Sequence, residues 1–287
     1  MSSSDEYISY GDDPLQEIRV FNYHKDNLRT LIVVHGGGWR DPRNTYNDFD
    51  ELALFLGSKK VNVIGINYRL SPKVKHPVHL IDVLSALVYI SKKYNVKEIS
   101  LAGHSVGATL LLQLIDYKRI IELGYESLQL AGVTESALPD KKDLQKLYEE
   151  YETNVKVQLL YFIDGIFNIV ELLKEYPSYD FVHDAFVSTN AYTEATQLSW
   201  TKGDSVHDHD HDHDHDHDYN AKSYSAFVCH SSQDELLSIN QTQLLINYLH
   251  TAGIPHAFTF APLGKHEEVY RHPNVGISIL QQLDLDV

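Results

Sequence analysis

Residues 98–117 read EISLAGHSVGATLLLQLIDY, and this stretch decides the fold. EISL is a short strand-like run, and from Val106 onward the residues are apolar at helical spacing. Between the two lies Gly103-His104-Ser105-Val106-Gly107, a G-x-S-x-G pentapeptide. The reading is strand, sharp turn, helix, with a serine on the turn. Such a turn lifts the serine Oγ above the end of a sheet, and glycines flank it because side chains there would collide. The helix that follows aims its N-terminal N–H groups at the same place. A plain Gly/Ser connection could carry the same five letters, so the pentapeptide alone leaves the function open.

Upstream, TLIVV (30–34) is another strand-length apolar run, followed by His35-Gly36-Gly37-Gly38-Trp39. In an H-G-G-G loop the glycines let the backbone turn N–H groups inward toward a tetrahedral oxyanion. The N–H groups of Gly37 and Gly38, with that of Val106, form the expected oxyanion hole. A glycine-rich turn is the alternative for this loop alone. Two such motifs 70 residues apart, each at the end of a predicted strand, are far less expected by chance.

Downstream, an acid and a base should follow in the order Ser, Asp, His. After the strand AFVC (226–229) comes HSSQDE (230–235), where Asp234 is the acid candidate and Glu235 its rival. After the strand HAFTF (256–260) comes APLGKH (261–266), where His266 is the base candidate. His272 is the runner-up, placed in or beside the last helix. Neutral His266 would take the Ser105 proton and later protonate the leaving group, while Asp234 would hold the imidazole tautomer.

The rest of the chain keeps a β-α rhythm. Strands are expected at 18–23 (as an edge strand), 30–34, 61–68, 98–101, 155–163, 226–229 and 256–260. Helices are expected at 49–56, 77–93, 106–117, 169–176, 239–252 and 275–283. This alternation predicts a mostly parallel central sheet with helices on both faces, and together with the G-x-S-x-G turn and the H-G-G-G loop it is the pattern expected of an α/β-hydrolase fold. One domain spanning 1–287 is expected, with 118–154 and 165–222 as insertions or a small cap. The segment 118–154 is polar with no clear strand, and 188–222 reads as loop.

The formal net charge is −16, and removing the six Asp of the His-Asp run at 207–218 still leaves −10. No basic footprint exists for phosphates, so a nucleic-acid role is excluded, and an acidic membrane surface would repel the chain. The first thirteen residues lack the apolar stretch of a secretory signal, and no run approaches the ~20 apolar residues that span a bilayer. A cytoplasmic protein is the expectation. The single Cys229 permits no intramolecular disulfide and reads as a buried strand residue without the turn a nucleophile needs.

With these residues in view, the chain resembles the fungal type of kynurenine formamidase (arylformamidase). The likeness runs from about residue 20 to the end. It is carried by HGGGW (35–39), NDF (47–49), NYRLSP (67–72), GHSVGAT (103–109), Asp164-Gly165, SQDELL (232–237) and His266. The resemblance implies hydrolysis of N-formyl-L-kynurenine to L-kynurenine and formate, in tryptophan degradation and NAD biosynthesis from tryptophan. It implies no metal or organic cofactor, and a small molecule as the partner; a homodimer is compatible with the sequence. For the aryl ring Trp39 is a candidate wall, with core packing the equal alternative. Arg69 could meet the substrate carboxylate, but a structural ion pair is favoured.

The His-Asp run departs from the family. Such tracts can bind zinc, nickel or copper, yet identical repeats have no fixed geometry, and a solvated, non-catalytic insertion is expected. Three rival functions remain at this point. They are a carboxylesterase related to hormone-sensitive lipase, a non-enzymatic binding protein on the same fold, and a metal store resting on the His-Asp run.

Overall fold

Alternate side chains of the buried strands enter two separate cores, one on each face of a single sheet. The computed structural model describes residues 5–27, 29–196 and 224–286. Its eight strands are β1 (Glu6–Ser9), β2 (Glu17–Asn22), β3 (Arg29–Val34), β4 (Val61–Ile66), β5 (Glu98–His104), β6 (Lys156–Ile163), β7 (Ser225–Ser231) and β8 (His256–Ala261). They lie in the order β1-β2-β4-β3-β5-β6-β7-β8. β1 and β2 pair antiparallel, as do β2 and β4; every later pairing is parallel.

Ile32, Val34, Leu101 and Phe162 point into the larger core. There they meet α2 (Val78–Tyr94), α3 (Val106–Gln113) and α9 (Ile239–Thr251). Their neighbours Leu31, Val33, Ala102 and Tyr161 point the other way, against α1 (Asp50–Ser58) and α10 (Pro273–Gln282). Because both faces are covered, β4 is buried along its whole length and is apolar but for Asn62. Burying each such Leu, Ile or Val contributes about 1.5–3 kcal/mol.

Several expectations need correction. The strand at 18–23 is not an edge: β2 pairs with β4 on one side and with β1 on the other. β1 is only four residues, mostly exposed, with no apolar alternation to betray it. The helix expected over 106–117 ends as α3 at Gln113; a short 3-10 turn at Leu114–Asp116 separates it from α4 (Tyr117–Leu130). The polar segment 118–154 holds α4 and α5 (Lys141–Asn154), the latter started by Asp140, whose side chain accepts from the N–H groups of Lys142 and Asp143. The region after β6 holds α6 (Ile169–Glu175), α7 (Phe181–Ala185) and α8 (Thr189–Ala195), so 188–222 is not loop throughout. The His-Asp run lies outside the described residues. Among the described residues no helix is long and apolar enough to cross a membrane.

Candidate active site

β5 ends at His104, and Ser105 follows with φ 53° and ψ −122° before α3 begins. That left-handed backbone is strained for a serine, and it persists because its surroundings hold it. The Ser105 N–H donates to the Ile163 carbonyl at 3.0 Å, and the Ser105 carbonyl accepts from Ala108 N–H at 3.0 Å. α3 then passes so close to β3 that a Cβ on Gly107 would lie 2.2 Å from the Val34 carbonyl oxygen. Only glycine fits there, which is why the second glycine of the pentapeptide is present. Ser105 is 7% exposed, at the carboxyl ends of the parallel strands.

The H-G-G-G loop leaves the end of β3 and folds over this turn. A Cβ on Gly36 would lie 2.9 Å from the Ser105 Cβ. Gly37 and Gly38 have φ +88° and +57°, a region that glycine enters without steric cost. No described residue accepts a hydrogen bond from the N–H of Gly37, Gly38 or Val106. Three free donors beside one serine can receive an oxyanion. The loop is fixed from several sides. Tyr68 Oη donates to the carbonyls of His35 (3.0 Å) and Gly36 (3.1 Å), and its ring stacks on His35 at 4.4 Å. Burial pushes the His35 imidazole down to about 4, so it stays neutral. Arg40 reaches α7, bonding Asp184 and Asp180, each at 2.7 Å.

Trp39 is 1% exposed and packed against Phe181 (6.0 Å) and Phe186 (5.3 Å, edge-on). Its ring is part of the larger core. Arg69 is likewise structural: its Nε and Nη2 bond both oxygens of the buried Asp82 at 2.8 and 2.6 Å.

The loops after β7 and β8 meet. His266 Nδ1 lies 2.7 Å from Asp234 Oδ2, and His266 is 2% exposed. The other oxygen of Asp234 accepts from the N–H groups of Leu236 (2.7 Å) and Leu237 (2.9 Å), which aims the carboxylate. Glu235, the rival, accepts from the His266 backbone N–H at 3.1 Å and does not engage the imidazole. His272 caps α10, accepting from Asn274 N–H at 3.2 Å.

Burial works against charge on both partners. For Asp234 the hydrogen bond and charge of His266 outweigh burial and hold the carboxyl below its ordinary range. For His266 burial is outweighed by Asp234, with Asp164 and Glu267 adding, so its affinity for a proton is raised. An ionised Asp234 accepts from Nδ1–H, which leaves Nε2 as the basic nitrogen. The His266 ring packs at 4.6 Å on His104, the residue that precedes Ser105. Burial pushes His104 down, so that ring is neutral.

Sequence reasoning missed the residues that join these loops. Ser231 Oγ donates to the Gly264 carbonyl and accepts from Leu263 N–H at 3.2 Å. Gln233 Oε1 accepts from Gly264 N–H at 3.0 Å. Asn44, beside Gly37, donates to Asp48 and to Glu267, each at 3.0 Å. Asp164, at the end of β6, also stands here. Its Oδ1 accepts from Ser231 N–H at 2.8 Å and lies 3.1 Å from His230 Nδ1. Polar side chains one or two residues from a strand end were the available signal. Cys229 is buried in β7, and burial raises its thiol far out of the reactive range.

Comparison with known proteins adds sequence relatives and fold neighbours. The BD-FAE family model matches residues 17–249. The kynurenine formamidase of Scheffersomyces stipitis is 45% identical over 285 residues, 98% of this chain and 100% of that protein. That of Debaryomyces hansenii is 39% identical, covering 97% of this chain and 99% of the relative. That of Saccharomyces cerevisiae is 28% identical over 90% of each. Among solved structures, esterase B of Lactobacillus rhamnosis superposes with a TM-score of 0.66 at 17% identity, covering 98% of this chain and 84% of that chain. An arylesterase gives 0.62 at 14% identity, covering 99% and 86%. These two share the fold.

Proposed function

The chain belongs to the BD-FAE family of α/β-hydrolases and to the kynurenine formamidases, and on that premise we propose that it hydrolyses N-formyl-L-kynurenine to L-kynurenine and formate through Ser105, His266 and Asp234. The observation that carries the reading is the buried Asp234–His266 contact of 2.7 Å, beside a serine held at φ 53° under a glycine loop.

In this mechanism Ser105 Oγ attacks the formyl carbon while His266 Nε2 takes the hydroxyl proton. The carbonyl electrons move to oxygen, and the N–H groups of Gly37, Gly38 and Val106 hold that oxyanion. Each such donor is worth about 3 kcal/mol in the transition state. Collapse breaks the C–N bond, and His266 passes its proton to the departing aniline nitrogen. L-Kynurenine leaves, and Ser105 carries the formyl group. Water then attacks this ester as His266 takes its proton. The second collapse returns the proton to Ser105 Oγ and releases formate. Asp234 stabilises the imidazolium in both halves. The step belongs to tryptophan degradation, and we place the protein in the cytoplasm.

The competing reading is a general carboxylesterase. Comparing kcat/KM for N-formyl-L-kynurenine with that for short p-nitrophenyl esters separates the two. The formamidase reading expects the formyl anilide to be preferred; an ester preference of orders of magnitude rejects it.

A further inference from the structure

The formyl carbon bears only hydrogen, so what an enzyme can recognise in N-formyl-L-kynurenine lies almost wholly in the departing aniline. That leaving group is a flat aromatic ring, and a site for it needs an apolar, preferably aromatic, surface beside the oxyanion loop. Trp39 is 1% exposed and offers a ligand almost no surface. The connection between α6 and α7 does offer one. Its Tyr176 and Tyr179, and Phe181 at the start of α7, are each only half-buried. Tyr176 and Tyr179 stack with ring centroids 4.9 Å apart, and Phe181 lies 5.5 Å from Tyr179.

This run of rings is held at both ends by the loops that carry the chemistry. A Cβ on Gly38 would lie 3.2 Å from Cγ and Cδ2 of Phe181, so the Phe181 ring rests directly on the backbone of the oxyanion loop. Arg40 fixes it there, through its bonds to Asp180 and Asp184 on either side of Phe181 in the chain. At the other end Tyr179 Oη donates to the Leu236 carbonyl at 2.7 Å. The Leu236 N–H in turn holds Asp234, and the Leu236 side chain is 40% exposed. The rings therefore bridge the oxyanion loop and the acid loop. Apolar surface left open to water in such a place gains free energy when another flat ring covers it.

We propose that Tyr179 and Phe181 are specificity-determining residues: they form the wall on which the aryl ring of the leaving group stacks, and so select aromatic over aliphatic leaving groups. Phe181 supplies the ring beside the oxyanion donors, and Tyr179 carries the wall across to the acid loop. Tyr176 backs Tyr179, so the wall is stiff before substrate arrives and little side-chain freedom is lost on binding. The proposal rests on the formamidase reading for its substrate.

The test compares wild type with Phe181→Leu, Tyr179→Leu and Tyr179→Phe. Each is assayed for kcat/KM on N-formyl-L-kynurenine and for its rate of inactivation by methanesulfonyl fluoride. That reagent sulfonylates the active serine and expels fluoride, so it needs the nucleophile and base but presents no ring. Phe181→Leu and Tyr179→Leu should each lower kcat/KM by about tenfold, mainly through a raised KM, because a stacked ring is held alike in ground state and transition state. Their inactivation rates should stay within about twofold of wild type. Tyr179→Phe keeps the ring and loses only the bond to Leu236, so it should stay near wild type in both readouts. Unchanged kcat/KM in the leucine variants overturns the proposal. A parallel fall in both readouts also overturns it, since that marks a packing role. Tyr179→Phe falling as far as Tyr179→Leu overturns it too, by making the hydroxyl a brace for the acid loop. If Phe181→Leu does not fold, the two Tyr179 variants decide. If wild type leaves N-formyl-L-kynurenine intact, the formamidase reading fails, and the wall is judged on phenyl acetate against ethyl acetate in the same variants. There, loss on the phenyl ester alone supports the wall, and loss on both esters or on neither overturns it.

Discussion

Ser231 and Gly264 are joined by a hydrogen bond from the Ser231 hydroxyl to the Gly264 carbonyl, so the turn that carries Asp234 and the turn that carries His266 are one unit. With Gln233 Oε1 accepting from Gly264 N–H as well, two side chains of the Asp234 turn grip the backbone of the His266 turn, so the 2.7 Å contact between acid and imidazole does not rest on two independent loops. Local rigidity of this kind is what orientation effects in catalysis require.

Ser105→Ala should lower kcat on N-formyl-L-kynurenine by roughly 10⁴- to 10⁶-fold. The side chain is small, and the strained backbone is tolerable to alanine at the same cost, so Tm should change little. Activity within tenfold of wild type would remove Ser105 from the mechanism.

Asp234→Asn should cost about 10⁴-fold in kcat with little change in KM. The pH profile carries a second signature. On the proposed mechanism His266 must be neutral to act, and Asp234 raises its proton affinity above that of an ordinary histidine. Activity should therefore climb with pH through a midpoint above that of an ordinary imidazole in wild type. Losing the Asp234 charge moves that midpoint downward; an unmoved or rising midpoint contradicts the assignment.

Arg69→Ala should destabilise the fold by about 3–5 kcal/mol, because Asp82 is then left buried without its counter-charge. Denaturant unfolding measures this. A raised KM with unchanged stability would instead make Arg69 a substrate ligand.

Asp48 is pushed up to about 6, mainly by burial, with Glu267 adding. A carboxyl raised on folding binds its proton more tightly in the native state, so ionising it costs stability as pH rises from about 4 through 6. Asp48→Asn should therefore raise Tm at pH 8 and give no gain at pH 4. A uniform change at both pH values would point to lost hydrogen bonding, since Asn44 donates to Asp48.

Much of this was legible from short signals. β3 and β6 are largely apolar runs, and the letters after β3 and β5 include glycines, Gly36 and Gly107, where a Cβ would collide with a neighbour. Asp234 was preferred to Glu235 on position alone, and the structure separates them by what each contacts: imidazole for one, backbone N–H for the other. β1 left no trace, since an exposed four-residue strand buries too little to show a period. α7 was hidden for a different reason, since five residues span too few turns to show a helical period, and α8 (TNAYTEA) is too polar to show an apolar face. Asp164 was visible as a letter at a strand end, but nothing in one dimension places it beside His230 and Asp234.

His266 follows β8, more than 150 residues after Ser105 in the chain. During synthesis, therefore, the ribosome completes the Ser105 turn long before residue 266 emerges. On the proposed mechanism a nascent chain that has reached Ser105 but not residue 266 lacks its base, so the growing polypeptide stays chemically silent until that later stretch is made.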